Sequence, residues 1–155
     1  MDHRFSDVFL PDLGPATGLA IFGFRAHAFG RTDCCCVQTG FRTALGEEAG
    51  AVLADLLFFT RVMGHVEARR ISLSPPGSGR MTWDEVSVAC GFVAAQAWDA
   101  AALDAHLSWL PAGPVPRRLT DLVIRIADSF AGHGLAFEAP HEARAVEDGV
   151  TLAFR

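Results

Sequence analysis

The chain contains no lysine, no asparagine and no tyrosine, so all thirteen of its basic residues are arginine. The missing residues have AT-rich codons, and a GC-rich bacterial genome is the simplest source of that bias. Any single arginine therefore carries little functional weight on its own. Charge is scarce too: 20% of residues are charged and 50% hydrophobic, which excludes an intrinsically disordered chain. With a net charge of −5 and scattered arginines, there is no basic stripe, and nucleic acid is disfavoured as a partner.

Long apolar runs are absent. Ala16–Phe24 is ended by Arg25, Ala49–Phe59 is interrupted by Asp55, and Val86–Trp98 is short. None approaches the ~20 residues a spanning helix needs. The first residues, Met1 to Asp7, are mixed in charge with no apolar segment behind them, so no signal peptide is expected and the cytoplasm is the expected location. No internal repeat, CxxC pair, HExxH helix, Walker loop or nucleophile elbow occurs.

What is present fits one domain. A chain of 155 residues supports a single core, whereas two halves would each be marginal. The expected divisions are an N-terminal arm (1–15), a helical core (16–133) and a C-terminal extension (135–155). Ala16–Phe29 reads as a first helix, loosened by Gly18 and Gly23. The Gly30-Arg31-Thr32-Asp33 break offers Asp33 as N-cap of a second, in which Cys34, Val37, Phe41 and Leu45 share a face. A third runs from Glu47 to about Val66, with Glu47 and Glu48 in its first turn and His65 in its last, both favourable to the macrodipole.

After Pro75-Pro76-Gly77-Ser78-Gly79, the stretch Thr82-Trp83-Asp84-Glu85 spells a capping box. It opens a fourth helix, Trp83–Ala97, expected at the centre of the fold. Asp99 caps a fifth helix carrying Leu103, Leu107 and Leu110. Pro114 and Pro116 introduce a sixth, with Leu119, Leu122, Val123, Ile126 and Phe130 inward, ended by Gly132 and Gly134. In the tail, Glu147-Asp148-Gly149 lies between Glu142–Val146 and an alternating Val150–Phe154, a hairpin signal. The expected fold is mainly α, a compact bundle of five to six helices, with a short C-terminal β-hairpin as its one β addition.

Cys34-Cys35-Cys36 is the most conspicuous feature. Thiols in a helix's first turn sit in a positive field that favours thiolate. At about 100° per residue, Cys34 faces the core, Cys35 points outward and Cys36 takes a third side, so they do not converge on one metal unaided. The plain reading is small, reduced cysteines. The functional reading makes Cys35 the reactive thiol, with His27, seven residues before the run, as base or as co-ligand of a thiolate-bound metal held by Cys34, Cys35, Cys36 and His27. No other cofactor is indicated. His106 lies on the apolar stripe of the fifth helix, while His65 and His133 occupy helix C-termini, where a cation is stabilising in itself.

The loop before the fourth helix invites a second reading. Gly77, Gly79 and Arg80, with Arg69 and Arg70 near by, offer amides and charge to an anion at a helix N-terminus. Arg117 and Arg118, in the first turn of the sixth helix, oppose its dipole, and so suit an anion or pairing with Asp121. An ordinary connecting loop is the alternative. Trp83, Trp98 and Trp109 sit at helix ends or edges, either packing over the core or marking an interface.

The Arg31-Thr32-Asp33-Cys34 turn, the Pro75-Pro76-Gly77 loop, Asp84-Glu85, and the Ala95-Gln96-Ala97-Trp98-Asp99 to Leu107-Ser108-Trp109-Leu110 stretch together resemble small all-helical proteins of GC-rich bacteria. Those often pair an Asp-Cys turn with a Pro-Gly-Cys loop before an Asp-Glu helix. Here the loop carries Gly77-Ser78-Gly79, and half of any paired-cysteine site is missing. The resemblance implies a helical fold and no activity. The apolar excess and small-residue helices then predict a non-enzymatic interaction module, a homo-oligomer or one bound to a partner protein. The alternatives are a thiol- or metal-dependent sensor or small enzyme at Cys34–Cys36, and an anionic-ligand binder at Arg80, Arg117 and Arg118.

Overall fold

The computed structural model describes residues 3–64, 70–110 and 114–140. The fold is mainly α. Strand β1 (Phe5–Phe9) leads through a 3-10 turn (Leu10–Leu13) into α1 (Gly14–Ala28). Helix α2 (Cys35–Leu45), a 3-10 turn (Gly46–Glu48) and α3 (Ala49–Gly64) follow. Strand β2 (Arg80–Thr82) runs directly into α4 (Trp83–Gln96), and α5 (Ala100–Trp109) and α6 (Arg117–Gly132) complete the described elements. The expected C-terminal hairpin lies outside the described residues, as do His65 and Arg69.

Helix α4 is the centre, packing on α5, α6 and α1. Every residue from Asp84 to Phe92 is buried, as expected for a helix surrounded on all sides. A chain of phenylalanine rings joins the helices. Phe24 meets Phe59 at 5.4 Å, Phe59 meets Phe92 at 6.4 Å and Phe92 stacks on Phe137 at 4.9 Å. Phe137 then meets Phe130 at 4.7 Å, which meets Phe41 at 6.2 Å. Such contacts add to area burial.

The structure corrects two expectations, on Gly23 and on the start of α3, and adds detail at both ends of the chain. Within the N-terminal arm, β1 pairs antiparallel with β2, Phe5 opposite Thr82 and Phe9 opposite Arg80, with an irregularity between. The Ser6 hydroxyl donates to the Met81 carbonyl, reinforcing a two-stranded sheet that would be marginal alone. Gly23 does not loosen α1; a Cβ there would lie 2.8 Å from both Leu56 and Phe41, so its missing side chain lets three helices meet. Glu47 and Glu48 belong to the 3-10 turn, and α3 begins at Ala49. Residues 135–140 are part of the core region, since Gln96 donates to the Ala127 and Leu135 carbonyls and accepts the Phe137 amide.

Candidate functional site

Three places carry chemistry beyond packing. The first is the turn between α1 and α2. Gly30, at φ +77°, ends α1, with its amide on the His27 carbonyl and the Arg31 amide on Ala26. This is a Schellman closure, which needs a left-handed residue at that point. The Cys34 amide donates to Arg31, and the Cys34 carbonyl accepts the Gln38 amide. Cys34 is therefore the N-cap of α2, in extended conformation, and Asp33 is not. Cys34 is half-buried, while Cys35 and Cys36 are exposed.

The first-turn amides of Val37 and Cys36 hold the Cys34 thiol below the ordinary cysteine range, with the Arg31 charge acting the same way. They do so without closing a side-chain cap hydrogen bond. The thiol of Cys36 is pushed up, first by the charge of Cys35 and then by that of Cys34. His27 lies in the last turn of α1. Its ring is buried, its Nδ1 lacks a partner, and burial, followed by the Arg61 charge on α3, lowers its pKa. Among the described residues no three His, Cys, Asp or Glu side chains are grouped to hold a metal ion.

The second place is the N-terminal end of α4. The Arg25 and Glu85 side chains are both wholly buried, 0% exposed. Arg25 Nε donates to Glu85 Oε1 at 2.7 Å and Nη2 to Oε2 at 2.9 Å. The remaining guanidinium donors reach the carbonyls of Ser78 at 2.6 Å, Arg80 at 3.2 Å and Pro75 at 3.5 Å. Glu85 also accepts the Ser74 and Thr82 amides, the latter closing the capping box with Thr82. One arginine thus pins the whole Pro75–Arg80 loop to the helix.

This arrangement answers the anion reading. The loop turns carbonyls, not amides, inward to Arg25, and a carboxylate already occupies the helix N-terminus. Arg80 donates from Nε to the Ser6 carbonyl and lies over the Phe5 ring at 5.3 Å. Arg118 lies over Phe58 at 5.0 Å, on a different element. Gly77 has open space around it. Arg80 and Arg118 therefore face different partners. The one signal for the Arg25–Glu85 pair was the lone charge in an otherwise apolar first helix.

The third place is the α4–α5 corner. Ala97 is the C-cap of α4. The Trp98 amide donates to Ala95 and the Asp99 amide to Ala94, again a Schellman closure. Trp98 stands where glycine is usual, at φ +56°, and is 74% exposed. Trp98 is itself one wall of a small pit of about 50 Å³, which Ala94, Ala95, Asp99, Leu103 and Ile124 also line. The Asp99 carboxylate caps α5 through the Ala102 amide. Trp83 is half-buried and Trp109 partly exposed.

A larger cleft of about 480 Å³ lies between the C-terminal ends of α1 and α3, lined by Phe24, Phe29, Thr60, Met63, Arg70 and Leu73 among others. His133 closes the end of α6 structurally, its Nδ1 near the Ser129 carbonyl and Glu48. No described helix is long and apolar enough to cross a membrane. Comparison with protein-family models, with curated proteins and with solved structures returns no match.

Proposed function

We propose that the protein is a non-enzymatic interaction module that associates with a second copy of itself through the α4–α5 corner. The observation that carries this reading is Trp98. A bulky residue in the left-handed region costs about 1–2 kcal/mol, and at 74% exposure the indole returns little of that through packing within its own chain. An exposed aromatic held at a fixed corner is the residue type that anchors interfaces.

A two-fold arrangement suits the local surface. The indole projects as a knob and also walls the pit that Ala94, Ala95, Leu103 and Ile124 line with it. A self-complementary patch sets the knob of each copy against the pit of the other. The apolar excess of the chain supports the same reading.

Light scattering coupled to size exclusion, over a wide concentration range, tests it. The full chain should show a concentration-dependent dimer, and Trp98→Ala and Trp98→Gly should both be monomeric at the same concentrations. A wild type that stays monomeric throughout, or a dimer that both variants retain, overturns the proposal.

A further inference from the structure

We propose that Cys34 and Cys36 form a dithiol site for hydroperoxides, with Cys34 as the attacking thiol and Cys36 as the resolving one. This goes beyond the association proposed above and does not depend on it.

The geometry follows from where α2 begins. Cys34 is the N-cap, with extended backbone (φ −63°, ψ 121°), while Cys35 and Cys36 are inside the first turn. Cys34 therefore escapes the helical spacing that would set three consecutive side chains on three separate sides. The Val37 and Cys36 amides, and after them the Arg31 charge, lower the pKa of its thiol. Those groups stabilise a thiolate, which is the form that attacks peroxide.

The pairing is selected by chain geometry. The Cα separation of residues 34 and 36 is set by the helical backbone of Cys35 and is about 5.4 Å. A disulfide takes a Cα separation of roughly 4.4–6.8 Å. Adjacent residues are only about 3.8 Å apart across a trans peptide, so neither the 34–35 nor the 35–36 pair fits. Cys90 is buried in α4 and stays out of reach.

The chemistry balances with the hydroperoxide as sole oxidant. The Cys34 thiolate attacks the terminal peroxide oxygen. The S–O bond forms as the O–O bond breaks, and the leaving alkoxide or hydroxide takes a proton from water. Cys34 is now a neutral sulfenic acid, so its share of the charge that held Cys36 protonated is gone. The Cys36 sulfur attacks the sulfenic sulfur, the S–S bond forms, and the departing hydroxide leaves as water with the Cys36 proton. Two thiols are oxidised to one disulfide, and one hydroperoxide is reduced to an alcohol or water.

The test treats the full, pre-reduced chain with hydrogen peroxide near neutral pH, then alkylates it without unfolding and reads the intact mass. The wild type should lose two hydrogens and take up one alkyl group, on Cys35. Cys36→Ser should stop at a sulfenic acid on Cys34 that dimedone traps. Cys34→Ser keeps a good N-cap, since serine is preferred there, and its oxidation should slow to the rate of free cysteine. Cys35→Ser should form the disulfide at the wild-type rate. A Cys34→Ser variant that reacts as fast as wild type overturns the proposal, as does a disulfide that vanishes in Cys35→Ser, or one found only between chains.

Discussion

At its N-terminal end α4 is closed by charge. Thr82 and Glu85 cap it, and Arg25 is drawn into the same carboxylate with every donor used. At its C-terminal end it is closed by backbone alone, with Trp98 in the left-handed position that Gly30 and Gly134 fill after α1 and α6. One end is dry, polar and satisfied; the other is strained, apolar and open. A satisfied buried network fixes a loop in one place and leaves nothing for a ligand. An exposed residue in a costly conformation leaves its side chain unspent on the fold. Polar residues gathered in one place thus mark structure here, while a single indole stands exposed in a conformation that suits glycine.

The largest effect expected is at the polar end. Glu85→Gln should destabilise the fold by about 3–5 kcal/mol, because it strands a buried guanidinium. The double change Arg25→Met with Glu85→Met should recover only part of that, since the Ser78 and Arg80 carbonyls and the Ser74 amide lose their partners with the charges. Urea denaturation of the three proteins checks this. Full recovery in the double variant would mean that the network does not hold the loop.

The apolar end should respond in the opposite direction. Trp98→Gly removes the left-handed penalty at some cost in chain entropy, a net gain of roughly 0.5–1 kcal/mol. Trp98→Ala keeps the strained backbone and gains nothing. Two variants that lose the same ring but differ in melting temperature would separate backbone strain from surface chemistry. Equal melting temperatures would show that the corner relaxes without glycine.

The smallest effect isolates the network from the other buried ionisable side chain in α1. His27 has its pKa lowered by burial and by Arg61, so the unfolded chain binds the proton more readily than the folded one. Its contribution to stability is complete above about pH 6.5 and is lost as pH falls from there towards the folded value. The slope is at most about 1.4 kcal/mol per pH unit. Stability measured between pH 5 and 8 should show this decline, and His27→Leu should remove it.

Much of the fold was legible beforehand, for local reasons. The capping box at Thr82–Glu85, Asp99 as the cap of α5, and the 3.6-residue stripe of α6 all depend on residues within a turn of one another. Boundaries set by longer-range contacts were not legible. Asp33 has the better capping side chain, yet the Gly30 closure and the turn through Arg31 place Cys34 at the cap. That shift by one residue decides how the three thiols stand. The N-terminal arm carried no strand signal strong enough to read, because its partner lies some seventy residues away.

By itself the sequence determined the helical class, the central place of α4 and the presence of thiols at a helix start, since propensity, periodicity and capping act within a few residues. Only the tertiary structure decided that Arg25 meets Glu85, that Gly23 is a packing notch rather than a weak point, that His27 is buried with its Nδ1 unpartnered, and that Trp98 takes a glycine's place in the open. Each of those outcomes depends on which surfaces meet across the fold. Burial and close packing are properties of the assembled helices, and no window along the chain contains them.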